Sequence, residues 1–200
     1  MKVNTQLLLD ALKRKKHTVF DQGEYNLNIV GVRAKNPASN AFDDLICLLY
    51  KKRGEWVLLP FEATTDPGTF YLENPINVNG TAIVKPGQYP GLWTMGKHQG
   101  KYLALVQSGP VTVHRDNNRD KTQNTAKTES GIFGINCHRA SQDGTSVQVG
   151  RWSAGCQVFA DSGEYAIFMA ICQKALTLWG NSFSYTLLEE KDLIPPEKKK

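Results

Sequence analysis

Two residues able to carry out acyl-transfer chemistry sit eighteen positions apart: His138, closing the run Gly131-Ile-Phe-Gly-Ile-Asn-Cys137, and Cys156, inside the turn Ser153-Ala154-Gly155-Cys156. A thiol attacks as its thiolate, so a catalytic cysteine needs a nearby base and an accessible, electropositive setting. His138 is the candidate base and Cys156 the candidate nucleophile. Small residues at 154 and 155 let the backbone approach a reacting carbonyl, which makes the N–H groups of Gly155 and Cys156 the candidate oxyanion donors. Ser153 reads as a turn-forming hydrogen-bond partner rather than a second nucleophile. Arg139 and Arg151 flank the pair and are placed to hold a substrate carboxylate by charge-assisted bonds, the alternative being two solvated surface cations. Trp152 and Gln157 complete the substrate-binding candidates.

The same stretch resembles the signature of the L,D-transpeptidase (YkuD-like) catalytic domain. That signature runs from a histidine, over an interval that includes the fourteen residues between His138 and Ser153, to Ser/Thr-His-Gly-Cys. Two departures stand out: Ala154 replaces the second histidine, and Gln157-Val158 replaces a hydrophobic-Arg/Asn pair. The resemblance covers roughly residues 80–160 and is concentrated in 138–158. It implies an α+β, mainly β fold, with a mixed sheet of sandwich or barrel type and flanking helices. It implies peptidoglycan stem peptides as substrate, a thioester acyl-enzyme, no cofactor and no metal. It also implies that the backbone carbonyl of Arg139 orients His138. Capture of the acyl group by an amine gives an L,D crosslink. Capture by water gives an L,D-carboxypeptidase, endopeptidase or lysin. A non-catalytic wall-binding or virion module is a third reading, disfavoured by the retention of both His138 and Cys156.

A chain of 200 residues that is 40% apolar and 22% charged suits one domain with a real core. The net charge of +5 includes Lys198, Lys199 and Lys200, so the body is only weakly basic, which argues against a dedicated nucleic-acid surface. Four cysteines lack zinc or C-x-x-C spacing and read as free thiols. Cys47 and Cys172 are expected in the core, and Cys137 on the strand face opposite His138. No apolar run reaches the ~20 residues needed to span a bilayer, and the start lacks a signal h-region. A wall-acting enzyme would then be delivered by a phage or secretion route.

The positioning elements follow from periodicity. Residues 4–16 read as an amphipathic helix capped by Asn4 or Thr5. Tyr25–Arg33 reads as a half-buried strand, and 44–51 with 55–62 as a hairpin turning at Lys52-Arg53-Gly54, Pro60 needing an edge or bulge. A turn cluster at 34–40 separates them. Together 1–75 form an extension of helix plus hairpin, packed on the catalytic sheet or standing alone, before a catalytic domain at 76–190 and a disordered tail at 191–200. Trp93–His98, Tyr102–Gln107 and Val111–His114 read as strands. Arg115–Asp120 reads as a polar turn rather than a calcium loop, lacking its alternation and distal glutamate. His98 and His114 have no assignable partner, and 121–130 reads as a polar loop or lid. Ile132–His138 is the strand expected to deliver the base. A core helix over 163–179, capped by Asp161 or Ser162, buries Ile167, Phe168, Ala170, Ile171, Ala175, Leu176 and Trp179, and Phe183–Leu188 closes the sheet.

Overall fold

The computed structural model describes residues 1–35 and 40–194. The chain is α+β and mainly β, 39% strand against 19% helix. Helix α1 (Thr5–Arg14) precedes β1 (Asn28–Arg33), β2 (Asp44–Lys52) and β3 (Glu55–Thr64). Helix α2 (Thr69–Glu73) leads to β4 (Thr81–Val84), β5 (Gly87–His98), β6 (Tyr102–Gln107), β7 (Val111–Asp116) and β8 (Thr128–Gly131). Then come β9 (Cys137–Arg139), β10 (Gln157–Phe159), α3 (Ser162–Trp179) and β11 (Phe183–Glu189). Eight strands close a barrel in the order β1-β11-β5-β6-β9-β10-β3-β2, and β4-β7-β8 form a separate three-stranded sheet.

The first third of the chain supplies barrel staves. In β2, Ile46, Leu48 and Tyr50 face the main core, while Cys47 and Leu49 pack with Leu8, Ala11 and Leu12 of α1. Strand β1 is therefore buried along its whole length instead of half-buried, because α1 covers Val30 and Val32 on its outer face. The side chain of Asn4 caps α1 by accepting from Leu7 N–H. Pro60 lies in β3 where only β2 pairs with it, since β10 reaches no further than Ala63 and Thr64, so its missing N–H costs no ladder bond.

Helix α3 is capped by Asp161, whose Oδ1 accepts from Gly163 and Glu164 N–H. Its buried stripe is Tyr165, Phe168, Met169, Cys172 and Ala175. Ile167, Ala170 and Trp179, expected inside, are exposed: the stripe turns toward the aromatic cluster of Phe61 and Phe159 instead. Segment 132–136, expected as strand, forms no strand, with Gly134 at φ +75°, whereas 128–130 of the expected loop pair with β7. The start of the expected tail forms a 3-10 turn, Glu190–Leu193, with Leu193 buried against α1. Its last six residues, and 36–39 of the expected turn cluster, lie outside the described residues.

Candidate active site

Strands β9 and β10 are parallel neighbours, with Gln157 beside Cys137 and Val158 beside His138. Alternation turns Cys137 and Gln157 into the barrel, and puts His138, Asn136 and Cys156 on the other face. Cys137 is fully buried in the main core, as are Cys47 and Cys172 elsewhere, and Cys156 alone of the four thiols is partly accessible.

The nucleophile turn is held by short polar contacts. Ser153 Oγ donates to Cys156 O at 2.8 Å and accepts from Gly155 N–H at 3.1 Å. Ser153 is thus the turn's internal clasp. That second bond overturns one expectation: the Gly155 amide is taken, so of the two oxyanion donors read from the sequence only the Cys156 amide is left. Gly155 has φ +123°, and a Cβ there would lie 2.4 Å from Ala82 O, so both conformation and space require glycine. The preceding loop is stapled by Asn40, whose Oδ1 accepts from Gly150 and Thr69 N–H. Gly68 N–H donates to Ser153 O, and a Cβ on Gly68 would meet Gly150 O at 2.1 Å.

His138 Nδ1 lies 2.9 Å from the Arg139 carbonyl, which can only accept, so Nδ1 carries the proton and Nε2 the lone pair. Tyr102 Oη donates to the same carbonyl at 3.2 Å. Cys156 Sγ makes its hydrogen bonds elsewhere, with Gly134 O and Asn136 N–H, each at 3.4 Å. The resting thiol is therefore not bonded to His138. Both groups are also neutral. Burial and the neighbouring His98 push His138 down to about 4, against the pull of the Arg139 carbonyl. Burial pushes Cys156 up to about 11, against the Asn136 N–H. The electropositive setting expected around the thiol is absent; the site is desolvated instead.

Of the substrate-binding candidates, Gln157 faces inward. It is fully buried, accepts from Tyr185 Oη at 2.6 Å and donates to Gly155 O, so its side chain supports the turn and meets no substrate. The Arg139 guanidinium lies 4.4 Å over the Tyr102 ring and donates to Ser141 O. Arg151 is exposed over Phe70, and Trp152 is 45% exposed. Ala154 lines a groove of about 360 Å³ with Ile76, Thr81, Arg115, Ile132 and Phe133. Among the described residues no cluster of three or more His, Cys, Asp or Glu is arranged to hold a metal.

Sequence reasoning left out His98, Tyr102 and Asn136. His98 and Tyr102 pair across the β5–β6 hairpin, and β6 lies beside β9. The His98 ring stacks on His138 at 4.1 Å. The available signal was the Gln99-Gly100 turn, which folds two ring residues four positions apart onto each other. His114 lies on β7, outside this cluster.

The chain matches no family model, no curated protein and no solved structure. No helix among the described residues is long and apolar enough to cross a membrane.

Proposed function

We propose that this protein is a cysteine–histidine acyl-transfer enzyme. Its reaction class, within that, is the L,D-transpeptidase type, acting on peptidoglycan stem peptides. The observation that carries the first step is the tautomer of His138: its Nδ1–H is taken by the Arg139 carbonyl, leaving Nε2 as a free base on the strand paired with that of the accessible thiol. The second step rests on the spacing of His138 and Ser153-Ala154-Gly155-Cys156.

In this reading the substrate displaces Sγ from Gly134 O, and Nε2 takes the thiol proton as the Sγ–carbonyl carbon bond forms. The tetrahedral oxyanion is met by the Cys156 amide. Collapse breaks the C–N bond, and the leaving amine receives the proton from His138. An amine acceptor, or water, then gives a proton to Nε2 and attacks the thioester, restoring the thiol. With both groups neutral at rest, attack depends on proton transfer within the complex rather than on a standing thiolate–imidazolium pair. The exposed Trp152 and Arg151 are the side chains offered to the stem peptide.

The test is mass spectrometry of disaccharide-tetrapeptide incubated with wild type and Cys156→Ala, with and without a D-amino-acid acceptor. Loss of terminal D-Ala with acceptor incorporated, absent from the variant, is the expected result. Shortened peptide without incorporation reassigns the enzyme to hydrolysis. No change with wild type, on intact sacculi as well, overturns the reading.

A further inference from the structure

The His98 ring and the Asn136 side-chain amide fix each other's hydrogen-bonding roles. Gln107 N–H donates to Asn136 Oδ1 at 2.9 Å, and a backbone N–H can face only the oxygen of that amide. Asn136 Nδ2 is therefore the end that meets His98 Nδ1, at 3.0 Å. An amide nitrogen only donates, so His98 Nδ1 accepts, and a neutral His98 carries its proton on Nε2. His138 has the opposite tautomer, with its proton on Nδ1. The two rings lie nearly parallel, 21° apart, and both are buried.

We propose that His98 is a positioning residue for His138: an imidazole locked by the Asn136 amide in the Nε2–H form, whose face packs on the base and holds that ring where its Nδ1–H meets the Arg139 carbonyl. The proposal rests on the acyl-transfer reading only for its effect on rate; the tautomer and stacking stand without it. The physics is specific. A protonated His98 would set two cations face to face if His138 also took a proton. The groups facing His98 are consistent with a neutral ring. Lys101, in the hairpin turn, and burial both disfavour its charge. Tyr102 on β6 is neutral, with burial raising its pKa. His98 also meets His138 of β9 and Asn136 just before that strand, and the Arg139 guanidinium is stacked on Tyr102. Cys156, joined to Asn136 through its N–H, is a thiol. No carboxylate stands among these neighbours to favour a charged His98. Position 154, where the resembled signature has a histidine, carries no ring here; the ring stacked on the base comes from β5.

The experiment follows the imidazole nitrogens of the full chain by long-range proton–nitrogen correlation NMR through a pH titration, in wild type, His98→Leu and His98→Phe. In wild type His138 stays in the Nδ1–H form until the pH approaches about 4. His98→Leu removes the stacked ring; His138 is expected to populate both tautomers and to titrate closer to its ordinary value. His98→Phe restores a stacking face and with it the single tautomer. On stem peptide, kcat is expected to fall about tenfold in His98→Leu with KM unchanged, and to recover in His98→Phe. A folded His98→Leu whose His138 keeps its tautomer and midpoint overturns the proposal. If Leu fails to fold, an unchanged His138 in Asn136→Asp, where a carboxylate would force a proton onto His98 Nδ1, overturns it equally. NMR changes in a protein inert toward peptidoglycan would uphold the positioning role while sinking the substrate assignment, so the two failures are distinguishable.

Discussion

Arg33, Asp44 and Asp66 are buried as deeply as His98 and His138, yet the first cluster is built around charge and the second around its absence. Arg33 Nη1 and Nη2 donate to the carbonyls of Val84 and Thr65, and Nε donates to Thr65 Oγ1. Asp66 Oδ1 lies 2.8 Å from Nε, but the hydrogen there is directed at Thr65, so Asp66 is held by charge and not by a hydrogen bond. Asp44 accepts from Ala34 N–H, Thr65 N–H and Thr65 Oγ1. Three of the arginine's five N–H donors are committed, and the cluster ties β1, β2 and the loop after β3 together. In the histidine pair no charge is matched by another, and each ring is neutral because burial leaves it no alternative. The first arrangement fixes structure. The second keeps a proton acceptor available.

The comparison breaks most visibly if the central cation is removed. Arg33→Met would leave the buried carboxyl groups of Asp44 and Asp66 without the Arg33 cation, and at a pH where they are ionised removing one partner of a buried ionic cluster costs about 3–5 kcal/mol. His138→Gln has no such charge to orphan and is expected to abolish acyl transfer at a smaller stability cost, about 1–2 kcal/mol for the lost Arg139 carbonyl bond and ring packing. Denaturant unfolding of both variants checks the contrast. Equal losses would mean that the two clusters are held alike.

A somewhat smaller effect appears in the pH dependence of stability, where the clusters act in opposite directions. Burial, and then Asp66, raise Asp44 from 3.8 to about 7, so folding binds a proton there. Its contribution is full below the unfolded value and is lost as pH rises toward about 7. His138 is lowered from 6.5 to about 4, so folding expels a proton. Its contribution is full above 6.5 and is lost as pH falls toward about 4. At about 1.4 kcal/mol per pKa unit the shift spans about 4 kcal/mol for Asp44 and about 3 kcal/mol for His138, and in wild type the two act against each other. His138→Gln should therefore expose a stability that declines from acid to neutral pH, and Asp44→Asn one that rises. Unfolding free energies measured across that range decide it; parallel profiles in the two variants would refute the opposition.

How much of this was legible in the sequence depended on how local the determining forces are. The caps at Asn4 and Asp161, the Lys52-Arg53-Gly54 hairpin and β11 follow from neighbouring residues, and all four fold as read. The barrel could not be read that way. Burial of both faces of β1 depends on α1, and the closure of β3 onto β10 joins residues about a hundred positions apart. At the site, His138, Cys156 and the turn were visible because they are close in sequence, whereas His98 reaches His138 only through the β5–β6–β9 order. Gln157 was placed with the substrate-binding residues because it follows the nucleophile in the resembled signature, and its side chain turns into the barrel. What the sequence conceals is a polar partner inside the barrel.

That partner gives the smallest and sharpest test. Tyr185 Oη donates to Gln157 Oε1 at 2.6 Å with both residues fully buried, and Gly31 makes room for the phenol, since a Cβ there would overlap its oxygen. Gln157 follows the nucleophile directly and its Nε2 reaches back to Gly155 O, so the bond connects the barrel interior to the turn. Tyr185→Phe leaves a buried amide oxygen unpaired, an expected loss of about 1–3 kcal/mol, whereas removing both polar groups in Tyr185→Phe/Gln157→Leu should cost less than the sum of the single changes. Unfolding of all four proteins gives the coupling. The neutral cluster would then be a site kept rigid by a bond on its far face. Simple additivity would mean instead that the turn is held by Ser153 and Gly155 alone, and Tyr185→Phe would leave the reactivity of Cys156 untouched.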